Sequence, residues 1–442
     1  MSDPAAPAEP EKKTRYQSLR GMRDILPEDA AYYRQVENAF LEISALHGFQ
    51  EIRTPVVETS ELYTRTVGES SDIVHKELYT FQDRSEHTIS LRPEGTAGIA
   101  RAYIQHGMAS LPQPVKLCYV ANMYRYERPQ AGRYREHEQF GLEVFGSADP
   151  ALDAQIMLIA WQAYERLGLR DVSVQINSIG EEASRQKIRS VIVKALEPVR
   201  DRLSEDARRQ LTQNPLRVLD SKDPAMQEYL EAIPPLIDQL TDEDRDHFSM
   251  VLEYLDQAGV PYELNPRLVR GLDYYTRTVF EFWTAEGGQT AIGSGGRYDR
   301  LVEHISGPKV PGVGMGNGVD RIVDILKKQR AASPSEPPQV FVVQLGDVAK
   351  KLSFELMDRL TRSGMSVTSA LGKDSIRSQL KLADKHSVPL ALIIGQKEAM
   401  DGSIIIRDMV SGMQETVTVD RVLGALQRRL PKTLTPGSPT DA

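Results

Sequence analysis

The feature that constrains this chain most is a long antiparallel hairpin, which the sequence predicts between residues 115 and 145. The first arm, Val115–Glu127, is rich in β-branched and aromatic residues, and Arg128–Gly132 supplies the Pro and Gly that end strands. The return arm, which ends at Phe145, alternates polar and apolar residues with period 2. Two paired strands of this length require a sheet with one face packed on a core.

Polar side chains collect on one face of this predicted hairpin. Side chains of a strand repeat every second residue, so Arg125, Glu127, Gln139 and Glu143 can share one surface. Charged residues are normal on the wet face of an antiparallel sheet, and that interpretation stays open. Gly141 favours a binding site slightly, because glycine inside a strand often marks the approach of a ligand to the backbone.

Composition narrows the class of protein. The chain has 442 residues, 40% of them hydrophobic and 26% charged, which is typical of a globular protein of two or three domains. The net charge of -8 argues against non-specific coating of nucleic acid, although a local basic patch remains possible. We find no apolar run long enough for a membrane span and no apolar signal-peptide core, so we expect no membrane partner.

Cysteine usage is minimal, because Cys118 is the single cysteine of the chain. One cysteine excludes an internal disulfide and a multi-cysteine zinc site. We expect a cytoplasmic protein with no metal bound by its own side chains, and we expect Cys118 to be a small core residue.

Changes in composition and in the spacing of apolar residues along the chain predict its domains. Residues 18–330 form a first domain, and within it residues 181–259 lose glycine, gain charge and follow helical spacing, as in a helical insertion. Thr241, followed by Asp244, is a predicted helix start within this insertion. Residues 331–338 are a Pro- and Ser-rich linker, and residues 339–430 alternate strands and helices as a separate α/β domain. The Pro-rich ends, residues 1–17 and 431–442, are predicted to be disordered tails.

Gln50–Glu58 is predicted to be one strand that contains Pro55. Proline has no N–H to donate to a ladder, so this strand should lie at a sheet edge or an interface.

Two further stretches carry candidate site residues. Arg92, Glu94 and Thr96 lie at a strand-to-helix junction, where they either cap the helix or line a pocket. The glycine cluster Gly312–Gly318 matches neither a P-loop nor a dinucleotide fingerprint, and it leads into a helix with Arg321 in its first turn. A cation there opposes the helix dipole, so it suggests a task such as holding an anion.

A basic ridge is predicted on one helix of the second domain. Lys373, Arg377, Lys381 and Lys385 recur at every fourth residue and so lie along one side of a helix. The ridge is either a solvated helix face or a contact for nucleic acid.

Taken together, these stretches resemble the class II aminoacyl-tRNA synthetases and, within them, the histidyl-tRNA synthetase family, over about Gly21 to Leu430. The helix and strand ending at Pro55 look like the dimer-forming motif one, Tyr124–Phe145 like motif two, and Gly312–Leu326 like motif three. LVRGLDYYTRTVFE and SGGRYDRL, at residues 268–281 and 294–301, resemble signatures of the histidine-specific family. The resemblance implies an α+β fold: an antiparallel-sheet catalytic core with a helical insertion, followed by an α/β anticodon-binding domain.

The resemblance also implies an activity in two steps. Histidine reacts with ATP to give histidyl-adenylate, and the histidyl group then passes to the 3′ end of its tRNA. The family's catalytic arginines correspond to Arg125, Arg270 and Arg321, and Mg²⁺ is expected on the phosphates of ATP. The implied ATP-binding residues are Arg125, Glu127, Arg133, Arg270 and Arg321.

The implied substrate contacts follow in the same way. The residues that would bind histidine are Glu94, Gly95, Thr96, Arg125, Gln139, Glu143, Arg270, Tyr274 and Tyr275. Those that would meet tRNA are Arg128 and Gln130 at the hairpin tip and Arg377 and Lys381 on the basic ridge. The resemblance further implies a homodimer. Arg300 departs from the family pattern, which usually has a small residue there, and we expect little effect on the site.

An alternative interpretation is a non-catalytic paralogue of the same fold that binds histidine and regulates a partner. Such paralogues usually lack the arginine of the RGLDYY stretch or the C-terminal domain. Both are present in this sequence, which favours the enzyme.

Overall fold

The computed structural model describes residues 16–68, 71, 73–128, 132–221, 224–284, 291–329, 337–372 and 375–430. The chain forms two compact units, divided between residues 334 and 335. Apart from Tyr16 and Gln17, the predicted tails lie outside the described residues, as do residues 331–336 of the predicted linker and the predicted site residue Gln130.

An eight-stranded sheet forms the centre of the first unit. Its strand order is β1-β5-β6-β11-β10-β9-β7-β8, and only the pairs β1–β5 and β7–β8 are parallel. The strands of this sheet are β1 (Gln50–Glu51), β5 (Val115–Tyr124), β6 (Glu136–Phe145), β7 (Val172–Ser178), β8 (Tyr262–Leu264), β9 (Thr276–Thr284), β10 (Gly293–Arg297) and β11 (Gly312–Gly318).

A small three-stranded sheet lies beside it, in the order β2-β4-β3, with β2 (Val57–Thr59), β3 (Thr80–Gln82) and β4 (Thr88–Leu91). The sequence predicted one strand over Gln50–Glu58, and that prediction was wrong. The segment forms β1 and β2 in two different sheets, and Pro55, which has no N–H to donate, lies between them.

Helices cover the large sheet. They are α1 (Pro27–Leu46), α2 (Ser60–Val67), α3 (Thr96–Gln105), α4 (Pro150–Leu167), α5 (Glu182–Leu196), α6 (Glu205–Gln213), α7 (Gln227–Glu231), α8 (Asp242–Ala258), α9 (Leu301–His304) and α10 (Val319–Gln329). The stretch between β7 and β8 is helical as predicted, with α5 to α8 and short 3₁₀ turns that include Pro215–Asp220. Thr241 begins α8 by accepting a hydrogen bond from the Asp244 backbone N–H, which is the predicted start.

One large apolar core lies between the sheet and helices α1, α4, α8 and α10, and it includes Phe40, Phe140, Tyr164 and Phe280. Cys118 belongs to this core, and burial raises the pKa of its thiol to about 11. Its predicted role as a small core residue is therefore confirmed.

The second unit is an α/β layer. Its sheet has the order β13-β12-β14-β15-β16, with the first three strands parallel and the last two antiparallel. Its elements are β12 (Val340–Gln344), α11 (Asp347–Arg362), β13 (Val367–Ser369), α12 (Ile376–Lys385), β14 (Leu390–Ile394), α13 (Gln396–Asp401), β15 (Ser403–Asp408), β16 (Gln414–Thr418) and α14 (Val422–Gln427). The predicted α+β class, with an antiparallel first sheet and a separate α/β domain, is confirmed.

Within the described ranges, none of the helices combines the length and the apolar content that crossing a bilayer requires.

Candidate active site

The hairpin of β5 and β6 provides the floor of the candidate site. The two strands pair from Val115↔Phe145 to Tyr124↔Glu136, and the Arg125 N–H continues the ladder by donating to the Arg135 carbonyl at 2.9 Å. Ala121 lies opposite Gln139, which is half-buried, so both project from the same face. Gln139 and Glu143, four residues apart on β6, share this face as the period-2 pattern predicts, whereas Arg125 and Glu127 lie beyond the end of β5.

Tyr119 occupies the middle of that face, packed over two glycines. A Cβ placed on Gly141 would lie 2.2 Å from the Tyr119 ring, and one on Gly95 would lie 2.3 Å from it. The interpretation of Gly141 as a ligand's approach to the backbone was wrong, because a tyrosine of the same chain fills that space. Gly95 has the same role at the start of α3.

Two buried carboxylates line the inner end of the site. Glu94 accepts hydrogen bonds from the Thr96 and Ala97 backbone N–H groups at 2.8 and 2.9 Å, so it caps α3. Glu143 accepts from Thr96 Oγ1 at 2.8 Å and from the Tyr298 hydroxyl. Glu94 therefore caps the helix, which is the first of the two alternatives, and Thr96 donates to Glu143.

Burial governs the ionisation of both carboxylates. It raises the pKa of Glu94, against the opposing hydrogen bonds from Ala97 and Thr96. It holds the pKa of Glu143 well above its ordinary value, although Tyr298 and Thr96 donate to it. A cation or an N–H donor placed between them would relieve this cost, because it stabilises the charged form.

Three tyrosines form one wall of the site. The rings of Tyr274 and Tyr275 have centroids 4.6 Å apart, and Tyr274 stands edge-on to Tyr298 at 5.7 Å. Glycines of strands β10 and β11 leave the space that these side chains occupy. A Cβ on Gly296 would lie 2.9 Å from the Tyr275 ring, and one on Gly314 would lie 1.9 Å from a Glu143 oxygen. The glycine clusters therefore accommodate the pocket's own side chains.

Arg125 and Arg133 lie at the outer end of the hairpin face. Arg125 Nε donates to the Pro93 carbonyl at 2.8 Å. Its Nη1 lies 3.9 Å from Glu127, whose other oxygen lies 3.7 Å from Arg133 Nη1. Glu127 therefore lies between two arginines, just beyond the end of β5.

Arg270 comes from the irregular segment before β9. Its guanidinium binds the Glu281 carboxylate and donates to Ser294 Oγ at 2.7 Å. Burial alone would lower the pKa of Arg270, but Glu281, together with Tyr275, Tyr274 and Asp220, raises that pKa above its ordinary value, so the side chain stays charged. Its Nε is buried with no hydrogen-bond partner among the residues that the structure describes.

Arg321 approaches from the first turn of α10. It donates to the carbonyls of Gly132, at 3.3 Å from Nε, and of Ala291. The pKa of Arg321 is lowered overall, by burial and by the charge of Arg133. Glu127 and, to a smaller extent, Glu281 oppose this lowering. Glu281 is also the partner of Arg270, so the arginines from three distant parts of the chain share one cluster of charge.

Two supports of this cluster were not predicted from the sequence. His137 lies on the hairpin face, where burial and then Arg125 lower its pKa to about 3, so it is neutral.

The second support is Asp320. Arg23 and Tyr33 both donate hydrogen bonds to Asp320 Oδ1, at 2.8 and 2.6 Å, and Asp320 Oδ2 accepts one from the Glu138 N–H at 2.8 Å. Asp320 therefore connects α10 to β6 and to α1. Its position directly before Arg321 in the sequence is the one feature that could have indicated this role.

The residues predicted to meet tRNA lie elsewhere. Arg128 is exposed at the end of the first hairpin arm. In the second unit Arg377, Lys381 and Lys385 are exposed on α12, whereas Gln379 and Ala383 of the same helix are buried. Lys373 lies outside the described residues. Arg300 is half-exposed and pairs with Glu303 at 3.6 Å.

The chain matches known proteins over nearly its whole length. A family model described as histidyl-tRNA synthetase matches residues 21–322, and one described as an anticodon binding domain matches residues 339–429. The chain belongs to the histidyl-tRNA synthetase family. Its predicted class II core with a C-terminal anticodon-binding domain is thereby confirmed.

Individual members of the histidyl-tRNA synthetase family are similar to this chain over most of their length. Proteins named histidine–tRNA ligase from Cyanothece sp. and Pelotomaculum thermopropionicum are each 43% identical, covering 91% and 93% of this chain and 94% and 97% of their own length. The crystal structure of an apo S. aureus histidyl-tRNA synthetase superposes with a TM-score of 0.79 at 33% identity, covering 93% of this chain and all of that one.

Proposed function

We propose that this protein is an active histidine–tRNA ligase, which makes histidyl-adenylate from L-histidine and ATP and passes the histidyl group to the 3′ end of tRNA(His). One observation carries the proposal above the rest. A cluster of arginines from the connection between β5 and β6, the segment before β9 and helix α10 lies in the same fold unit as two buried carboxylates bounded by tyrosines. That combination suits a nucleoside triphosphate beside a small polar amino acid.

In the first step, a histidine carboxylate oxygen bonds to the α-phosphorus and the bond from that phosphorus to the bridging oxygen breaks, releasing pyrophosphate. Negative charge builds on the phosphate oxygens, so positioned guanidinium groups accelerate the reaction. We assign Arg125 and Arg270 to the α-phosphate and Arg133 and Arg321 to the γ-phosphate of a bent ATP, with Glu127 toward the adenine amino group. Arginine suits this work because its fork binds two oxygens and stays charged.

Selectivity for histidine would come from the buried polar groups. We assign Glu94, Gly95 and Thr96, with Gln139 nearby, to the α-amino group, and Arg125 and Arg270 to the carboxylate. Glu143 and Tyr275 would bind the two imidazole nitrogens, with Tyr274 lining the ring. An apolar amino acid would leave these groups unpaired, which can cost roughly 10⁴-fold in discrimination.

Magnesium would act on the phosphates. Among the described residues no group of three or more His, Cys, Asp or Glu side chains could enclose a metal. Mg²⁺ commonly keeps several waters and binds through substrate phosphates, so the phosphates of the bent ATP would supply its other ligands. When bound, the ion would neutralise phosphate charge.

The second step needs tRNA, and we assign its contacts to the hairpin tip and the second unit. Arg128 and Gln130 would meet the acceptor end, and Arg377 and Lys381 the anticodon arm. A homodimer, based on the resemblance to motif one, and a cytoplasmic location, consistent with the single cysteine, are also part of the proposal.

Charging of tRNA tests the proposal. The purified protein with ATP, Mg²⁺ and labelled histidine should attach the label to a tRNA(His) transcript and leave a tRNA of another specificity uncharged. Histidine binding without any charging of tRNA would favour the regulatory paralogue instead. Charging with a different amino acid would contradict the assignment outright.

A further inference from the structure

We propose that the helical insertion positions the wall of the histidine pocket, with Arg217 and Asn214 acting as positioning residues through the carboxylate of Asp273. The inference rests on the proposed function, because it concerns the segment that carries Arg270, Tyr274 and Tyr275. Nothing in the proposed chemistry requires Arg217 or Asn214 to touch a substrate.

The segment that these residues hold has little structure of its own. Residues 265–275, between β8 and β9, form neither helix nor strand. Backbone without a ladder or helical bonds depends on outside partners for its conformation. Backbone bonds hold its start, where the Asn265 N–H donates to the Ile176 carbonyl and the Leu268 N–H to the Asn265 carbonyl, both at 3.0 Å. In its later part the Asp273 N–H donates to the Val67 carbonyl at 3.3 Å.

Asp273 is the main anchor of this segment. Its Oδ1 accepts hydrogen bonds from Asn214 Nδ2 at 2.9 Å and from Arg217 Nη2 at 3.0 Å. Arg217 Nη2 also lies 3.3 Å from the Gly271 carbonyl, and the Arg217 side chain is only 13% exposed. On the other side, a Cβ on Gly68 would lie 2.1 Å from Asp273 Oδ2, so the carboxylate packs directly against the Gly68 backbone.

A second contact reaches the same wall from α5. Arg185 Nη1 donates to the Tyr275 carbonyl at 3.2 Å, and Arg185 Nε is buried without a partner among the described residues. Burial lowers the pKa of this arginine. Holding a costly buried cation against a backbone carbonyl is consistent with a role in fixing that backbone.

The insertion and the pocket also share one apolar cluster. Ile188 and Leu216 of the insertion belong to the same cluster of buried side chains as Val269, Tyr274 and Tyr275. The insertion therefore has no separate core at this point, and a shift of the 3₁₀ turn Pro215–Asp220 would be transmitted to the tyrosines. Charge-assisted bonds from Arg217 would set the final position within this packed contact.

The experiment compares Arg217→Ala and Asn214→Ala with Arg209→Ala. Arg209 is a matched control, because it pairs with Asp206 on the exposed surface of the same insertion. Histidine affinity is measured by calorimetry, and KM values for histidine and ATP by pyrophosphate exchange. We expect Arg217→Ala to raise the Kd and KM for histidine about tenfold, the scale of a small misplacement of binding groups, with KM for ATP changed less than twofold. Arg217→Lys should restore part of the loss, and Arg209→Ala should match the wild type.

Two results would overturn the inference. One is a histidine KM for Arg217→Ala and Asn214→Ala equal to that of Arg209→Ala. The other is an equal rise in both KM values, which indicates general damage. Asn214→Ala removes only a neutral donor, so it decides the matter if Arg217→Ala fails to fold. The double change Arg217→Ala with Asp273→Asn should be no worse than its worse single change. A wild type with no histidine-dependent exchange would defeat the proposed function itself.

Discussion

The guanidinium of Arg270 is bound by the carboxylate of Glu281, across the junction between an irregular segment and strand β9. This ion pair holds a charged group at the site before any phosphate arrives, and the same glutamate partly offsets the lowering of the Arg321 pKa by burial and by Arg133. Preorganised charge of this kind lowers a barrier without reorganisation at the moment of reaction. The pair therefore makes Arg270 the first target for substitution.

Replacement of Arg270 by alanine should slow adenylate formation severely. We expect a loss of roughly 3–4 kcal/mol of transition-state stabilisation, the scale of removing one charge-stabilising donor. Single-turnover formation of histidyl-adenylate measures it. Arg267→Ala, which removes an exposed arginine of the same segment, is the control and should behave as the wild type. A near-normal rate in Arg270→Ala would refute its catalytic role.

Glu143→Gln should weaken histidine binding far more than ATP binding. The change keeps the size of the side chain but removes the charge available to an imidazole N–H, so we expect KM for histidine to rise about tenfold or more. Steady-state pyrophosphate exchange gives both KM values. Glu136→Gln, on the same strand, serves as control. Equal increases for the two substrates would mean that Glu143 is structural.

The double change Arg377→Ala with Lys381→Ala should weaken tRNA binding and flatten its salt dependence. Removing a side chain that binds one phosphate reduces the slope of log K against log salt by about one. Adenylate formation should be unaffected. Filter binding at several salt concentrations measures the slope, with the exposed pair Arg362→Ala and Lys397→Ala as control. An unchanged affinity for tRNA would mean that the basic ridge is only a solvated helix face.

His137 should make the first unit sensitive to acid. Because its pKa is lowered in the folded state, its neutral form contributes stability above the ordinary value near 6.5, and this contribution is lost as pH falls toward 3. Between pH 7 and pH 5 the loss should be about 2 kcal/mol. Denaturant unfolding should show a smaller fall for His137→Gln than for the wild type, while His106→Gln, at an exposed histidine, shows none of this difference. Parallel pH profiles for all three proteins would contradict the prediction.

The hairpin and its polar face could be predicted because both depend on local pattern. Period-2 alternation fixes which side chains share a face, and the turn residues fix where the strands end. The same logic located Thr241 as a helix start and placed Arg321 in a first helical turn.

The inside of the pocket could not be predicted, because its contacts join residues far apart in the chain. Nothing local indicates that the Tyr298 hydroxyl reaches Glu143, or that Tyr119 lies against Gly95 and Gly141. A glycine in a strand shows that space is needed without showing what fills it. Pro55 was interpreted correctly as a sign of a sheet edge, because β1 and β2 each lie at the edge of a sheet. The prediction of one continuous strand was wrong, because Pro55 separates these two strands.

Amino-acid-dependent pyrophosphate exchange tests the central claim most directly, because it reports the first step without tRNA. With each of the twenty amino acids supplied separately, the wild-type protein should exchange pyrophosphate into ATP most strongly with histidine, and Arg270→Ala should reduce that exchange by about 10²-fold or more. Exchange strongest with another amino acid, or none with histidine, would contradict the account.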